Sequence, residues 1–220
     1  MKTFNELQEG VYDPNILKAF FLAGGPGSGK SYVVRRTTGG LGMKIVNSDN
    51  AFEKLLKDAG LSLKMPDEEE EPRDVARTKA KVITKKQQKN YIEGRLWLII
   101  DGTGKDYDKI AKQATELKQL GYDVHMIFVN TSLDTALERN ANRARSVPEP
   151  LVVKSWKSVQ SNIGKFSQYF RQNFVVVDNN DAGEDVFNKV FKQIKGLANK
   201  KPTSRIAMAW IANELEKKKR

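Results

Sequence analysis

Gly24-Gly25-Pro26-Gly27-Ser28-Gly29-Lys30-Ser31 follows the pattern G-x-x-x-x-G-K-S. Its flanks give that pattern a context. Ala19-Phe20-Phe21-Leu22-Ala23 is a short apolar run of the kind a buried strand carries, and Tyr32-Val33-Val34-Arg35-Arg36 can continue as a helix. Strand, glycine loop and helix in that order make a phosphate cradle. The glycines let the backbone curl so that successive N–H groups point inward, and the helix N-terminus adds the positive end of its dipole. Gly24, Gly25, Gly27, Ser28, Gly29, Lys30 and Ser31 are therefore the candidate nucleotide-binding residues. Lys30 is placed to reach the β- and γ-phosphates of ATP, and the Ser31 hydroxyl to ligate Mg²⁺.

Outward from the loop, apolar strands alternate with helices. Strands are predicted at 18–23, 43–46, 96–100, 122–129 and 173–177. Helices are predicted at 51–59, 73–95, 106–120, 133–144, 149–170, around Val186 to Ile194, and at 204–218. The opening segment through Tyr12-Asp13-Pro14-Asn15 reads as a loop or packing arm. Alternation of this kind predicts an α/β fold, a five-stranded parallel sheet with helices on both faces. Ligands bind such sheets at the C-terminal ends of the strands. The long helix 73–95 is expected to pack through Val75, Val82, Ile83, Tyr91 and Ile92. The acidic run Asp67-Glu68-Glu69-Glu70-Glu71 before it reads as a loop. The expected organisation is one domain built on the phosphate loop, 1–200, with an insertion and basic helix at 60–95 and a lid at 139–150. A basic C-terminal helix at 201–220 follows.

A chain of 220 residues can bury a full core without staples. It has no cysteine, which excludes thiol catalysis, disulfides and cysteine-ligated zinc and fits a reducing cytoplasm. Its one histidine, His125, lies in the apolar run Val124 to Val129 and reads as a core residue. Neither a signal core nor a membrane-length apolar run is visible. The 38 Lys and Arg against 27 Asp and Glu leave +11, which points to an anionic partner. The charge is concentrated from Pro72 to Arg95 and from Lys189 to Arg220. Each cluster alone is also consistent with a solvated helix face.

Phosphoryl transfer needs a metal, an acid near it, a base for the acceptor and cations for the spreading charge. Asp101 closes an apolar strand and is a candidate metal ligand beside Ser31; a strand-end turn is its other reading. Asp49 follows the second strand and could take the acceptor's proton, or could cap the next helix. Arg139, Arg143 and Arg145 are candidates for the transferring phosphoryl group, or form a solvated basic face. Thr103 and Asp106 have the spacing of a capping box.

Taken together, Gly24 to Ser31, Asp49, Asp101-Gly102-Thr103-Gly104 and Arg139-Asn140…Arg143…Arg145…Val147-Pro148 resemble the P-loop kinases of the zeta-toxin and polynucleotide-kinase type, which are common in phages. The resemblance runs from about Lys18 to Asp178. It implies a five-stranded kinase core, an acceptor-activating Asp at Asp49 and a lid arginine at Arg139 or Arg143. Asn47-Ser48-Asp49-Asn50 departs from the pattern, because members often carry a second acid or an Arg near that Asp. The preferred reading is an ATP- and Mg²⁺-dependent kinase of a hydroxyl on nucleic acid. That hydroxyl is a 5′-end or the hydroxymethyl group of a modified base such as 5-hydroxymethyluracil. A kinase of a nucleotide sugar or another small nucleotide or nucleoside is the alternative. An NTPase switch that binds nucleic acid without phosphorylating it is a third reading. A GTPase is disfavoured, since Asn188-Lys189 is followed by Val190-Phe191 rather than a base-reading x-Asp.

Overall fold

Strands β1 (Lys18–Ala23), β2 (Lys44–Val46), β3 (Leu98–Asp101), β4 (Asp123–Asn130) and β5 (Phe174–Asp178) form one parallel sheet in the order β2-β3-β1-β4-β5. Between and after them run α1 (Lys30–Thr38), α2 (Ser48–Asp58), α3 (Glu70–Glu93), α4 (Tyr107–Gln119), α5 (Leu133–Ala141), α6 (Glu149–Phe170), α7 (Glu184–Ala198) and α8 (Arg205–Lys217). The computed structural model describes residues 11, 13, 16–63, 66–143, 146–181 and 183–218. The expected N-terminal arm falls almost wholly outside them. Among the described residues no helix is long and apolar enough to cross a membrane.

The two-residue period of β1 explains the three layers. Ala19, Phe21 and Ala23 enter one core with Leu117 of α4 and Phe166 and Phe170 of α6. Phe20 and Leu22 enter the other with Val33 of α1 and Phe187 and Ile194 of α7. Both faces of β1 are thus covered, as a central parallel strand requires. Fully buried Lys18 ion-pairs with Asp123, its register partner on β4. His125 is buried and stacked on Phe20 at 4.6 Å between ring centroids. Burial, reinforced by the Lys18 and Lys200 charges, pushes its pKa down to about 3, so it is a neutral core residue.

Four local expectations are corrected. First, α2 begins at Ser48 rather than Ala51. Asn47 is its N-cap, its side chain accepting from the Asp49 N–H at 2.7 Å, and Asp49 sits in the first turn. Second, the acidic run is not a loop. A 3₁₀ turn at Asp67–Glu69 leads straight into α3, with Glu70 and Glu71 in its first turn, where acids offset the helix dipole. Pro72 is tolerated there because a first-turn N–H has no helical partner. Third, Val75, Val82 and Ile83 are about half exposed, and the buried stripe of α3 is Ala76, Ala80 and Thr84. Small side chains allow close approach to Phe52 and Leu56 of α2. Fourth, Asp106 itself caps α4 through the Lys109 N–H, while the Thr103 carbonyl accepts from the Gly24 N–H; no capping box forms on Thr103.

Helix α8 is docked rather than free. Ala207 is fully buried against Gly121, Trp210 and Ile211 pack on the same core, and Ile206 stays half exposed. Gly121 and Arg95, whose guanidinium lies 5.8 Å from the Trp210 ring, precede β4 and β3. The helix therefore sits at the N-terminal edge of the sheet, opposite the glycine loop.

Candidate active site

The C-terminal ends of β1, β2 and β3 meet at one cavity of about 740 Å³. The loop from Gly25 to Ser31 forms its floor; Asp49, Asp101, Arg77, Lys81, Arg139 and Arg143 line its walls. The register Leu22↔Asp101 places the acid beside the loop, at the adjoining strand end.

The loop is held from three sides. Gly27 has φ 77°, and a Cβ there would lie 2.0 Å from the Ala136 carbonyl oxygen of α5. Gly29 has φ 78°, and its Cβ would lie 2.4 Å from the Asn179 side-chain nitrogen. Only glycine combines that backbone conformation with that approach. The Ser28 carbonyl accepts from Asn179 Nδ2 at 2.8 Å and Thr131 Oγ1 at 3.2 Å. The Thr131 carbonyl in turn accepts from Trp156 Nε1 of α6 at 2.8 Å. Among the described residues, the N–H groups of Gly27, Gly29, Lys30 and Ser31 have no protein acceptor, and the buried Ser28 Oγ has no partner. That is the donor set of an anion cradle at a helix N-terminus, and it fits the phosphates of a nucleotide.

Lys30 Nζ donates to the Gly24 carbonyl at 2.6 Å, bent back over its own loop. Burial lowers its pKa, opposed by Asp101 and Asp49 and reinforced by Arg143. Burial raises the pKa of Asp101, with Lys30 opposing and Asp49 adding to the shift. Each group is costly to charge alone in this place, and each lowers that cost for the other. Asp101 Oδ2 also accepts from Asn47 Nδ2 at 2.7 Å. Ser31 and Asp101 offer hard oxygen donors, and no group of three or more His, Cys, Asp or Glu that could hold a metal is found among the described residues. Two protein oxygens suit Mg²⁺, which keeps several waters and takes phosphate oxygens for the rest.

Asp49 faces the cavity from the other wall, with Arg77 Nη1 of α3 at 2.9 Å from its Oδ1. The same guanidinium lies 4.1 Å from the Phe52 ring centroid, which fixes its position. Arg139 is committed differently. Its two terminal nitrogens donate to the Asn179 and Asn180 carbonyls at 2.6 and 2.7 Å. Arg143 lies beyond the last turn of α5, so it shares the cavity with Arg139 but not a helix face. Arg145 lies outside the described residues. Reciprocal bonds between the Asn140 side chain and the Val147 backbone, at 2.7 and 3.0 Å, clasp the two ends of this segment.

Sequence reasoning missed Asn47, Asn179, Arg77 and Lys81 as site residues. The first two flank recognised strand ends and were within its reach. The other two lie on a helix whose facing only packing decides.

The chain matches the family model described as Zeta toxin over residues 9–190. No curated protein matches it significantly. Among solved structures it is similar to a gluconokinase from Sinorhizobium meliloti 1021, at 14% identity and a TM-score of 0.52, covering 84% of this chain and 95% of that one. It is also similar to a chain of the Pnkp1/Rnl/Hen1 RNA repair complex, at 19% identity and a TM-score of 0.53, covering 75% of this chain and 49% of that one. A third similarity is to the AvrRxo1-ORF1:AvrRxo1-ORF2 structure, at 14% identity and a TM-score of 0.57, covering 79% and 63%. At these identities the likenesses speak for the fold, a P-loop kinase core.

Proposed function

The chain belongs to the zeta toxin family, and as such is a P-loop phosphotransferase with an alcohol group as acceptor; from that premise we propose that it transfers the γ-phosphoryl group of ATP to a hydroxyl carried by nucleic acid. The acceptor is a 5′-hydroxyl end or the hydroxymethyl group of a modified base such as 5-hydroxymethyluracil. One observation carries this reading: Arg77 and Lys81, two cations of a long basic helix, share a cavity wall with Asp49. The cavity thus offers positive charge on its acceptor side as well as its donor side. A polyanionic acceptor answers to that arrangement better than a neutral sugar or nucleoside does.

In this reading the loop from Gly24 to Ser31 cradles the phosphates and Lys30 leaves the Gly24 carbonyl to reach them. Ser31 and Asp101 would hold Mg²⁺, with Asn47 orienting the Asp101 carboxylate. Bound Mg²⁺ and ATP supply the activated phosphoryl group and neutralise part of its charge. Asp49 would take the proton of the acceptor hydroxyl as the new O–P bond forms and the bond from the γ-phosphorus to the β–γ bridging oxygen breaks, releasing ADP. Arg143, within electrostatic reach of Lys30, stabilises the charge on the transferring group. Arg139 holds the Asn179–Asn180 turn against the loop and so positions the cradle. Arg145 belongs to the same lid segment and is assigned to the nucleotide. A cysteine-free chain suits the reducing cytoplasm to which we assign it.

The test is incubation with γ-labelled ATP and a panel of 5′-hydroxyl oligonucleotides, hydroxymethyl-base DNA, nucleosides and nucleotide sugars. Label in nucleic acid is expected, and Lys30→Ala should cut it by about 10²-fold or more. Label confined to free phosphate overturns transfer altogether. Label in a nucleotide sugar and never in nucleic acid overturns the acceptor.

A further inference from the structure

Resting on the nucleic-acid reading above, we propose that Arg77, Lys81, Lys85 and Lys89 of α3 form a track that holds successive phosphates of the acceptor strand. Arg77 takes the phosphate next to the reacting hydroxyl.

The four residues recur every fourth position. On an α-helix each step of four advances about 6 Å and turns about 40°, so they form a shallow ridge about 18 Å long. Its first two members line the cavity, and the last two do not. Arg77 is half-buried, pinned between Asp49 and Phe52, whereas Lys81, Lys85 and Lys89 are exposed. The ridge therefore starts beside the candidate base and leads out over the surface of α3. Among the described residues, the ridge meets carboxylates at Asp49, beside Arg77, and at Glu93, a loose 3.8 Å from Lys89.

Charge gives the track a direction. Glu68, Glu69, Glu70, Glu71 and Asp74 gather at the N-terminal end of α3, ahead of Arg77. A polyanion entering from that end meets repulsion; one lying toward Lys89 meets cations only until Glu93. The other basic stretch of the chain, on and around α8, does not continue the path, because α8 is docked at the opposite edge of the sheet through Ala207 and Gly121. The two basic clusters that look equivalent in sequence are thus unequal in space. Only the one on α3 is contiguous with the site.

The test compares wild type with Lys85→Gln/Lys89→Gln and, as a control, Lys217→Gln/Lys218→Gln. Binding of a 3′-labelled, 5′-hydroxyl octanucleotide is followed by fluorescence anisotropy from low to high salt. Transfer from γ-labelled ATP is measured on that octanucleotide and on a 5′-hydroxyl dinucleotide. Each single-strand phosphate contact contributes about 0.7 to the slope of log affinity against log salt, so losing two should flatten it by about 1.4. The Lys85/Lys89 variant should also raise KM for the octanucleotide several-fold while keeping kcat, and leave the dinucleotide's KM unchanged. The α8 variant should behave as wild type. An unchanged slope and KM in the Lys85/Lys89 variant overturns the track, as does an equal loss on the dinucleotide or a flattened slope in the α8 variant. Failure of the underlying reading is seen separately, in wild type, as transfer neither to an oligonucleotide of either length nor to hydroxymethyl-base DNA.

Discussion

Arg77 Nη1 lies 2.9 Å from Asp49 Oδ1 across 28 residues of sequence. The contact joins the candidate base to the long basic helix along one wall of the cavity. It also accounts for what the segment Asn47-Ser48-Asp49-Asn50 lacks. Asp49 has neither a second acid nor an arginine within that segment, and the arginine beside it comes from α3.

Removing the base and removing its partner should therefore separate. Asp49→Asn is expected to keep nucleotide affinity while lowering kcat by about 10²- to 10⁴-fold, the usual contribution of a general base. Arg77→Ala should chiefly raise KM for phosphate-bearing acceptors, with partial recovery in Arg77→Lys, which restores charge but not the planar fork. Steady-state kinetics with an oligonucleotide and nucleotide titration by calorimetry check both. Normal transfer by Asp49→Asn would leave Asp49 a structural residue of the first turn of α2.

Gly27→Ala should damage the cradle without touching any charged group. The added Cβ meets the Ala136 carbonyl oxygen at 2.0 Å, and the residue must hold φ 77°. Left-handed backbone alone costs about 1–2 kcal/mol, and the clash forces α5 to shift as well. Nucleotide affinity should fall by about tenfold or more, with a modest loss in melting temperature. Ala at Gly40, where no atom lies within 4 Å, shares the positive φ and serves as the control for strain alone.

His125 predicts an acid-sensitive stability. Its folded pKa, about 3, lies below the ordinary value of 6.5, so the unfolded chain binds its proton first as pH falls. The contribution is fully present above about pH 6.5 and is lost progressively down to about pH 3. At pH 4 the loss is about 3 kcal/mol. His125→Leu should remove that part of the acid limb in denaturant melts between pH 4 and 7. An acid limb identical to wild type would mean that the ring is not held neutral against Phe20.

Truncation after Lys200 should act on stability rather than on nucleic-acid binding. It strips Ala207, Trp210 and Ile211 from the core. A melting temperature lower by several degrees is expected, with the salt slope of oligonucleotide binding unchanged. A flattened slope with an unchanged melting temperature would return the C-terminal cations to the acceptor path.

The fold was legible because its determinants are local and periodic. Phe20 and Leu22 alternate with Ala19 and Phe21, glycines punctuate helix ends, and Gly24 to Ser31 fills a spacing that has one physical use. The positions of Lys30, Ser31, Asp49 and Asp101 at one sheet edge follow from that alternation, since parallel strands deliver their ends to the same side. What local pattern could not decide was which face of a long polar helix turns inward. On α3 the apolar Val75, Val82 and Ile83 face out and the small Ala76, Ala80 and Thr84 face in, because closeness to α2 outweighs hydrophobicity there. That choice swings Arg77 and Lys81 into the cavity. In the same way, Gly121 admits Ala207 and fixes α8 on the far edge, so of two basic clusters alike in sequence the one on α3 borders the cavity. The phosphate cradle was determined by the sequence alone. The wall that carries Asp49 and Arg77 was decided only when α2 and α3 packed, since side-chain contacts across 28 residues have no local signature.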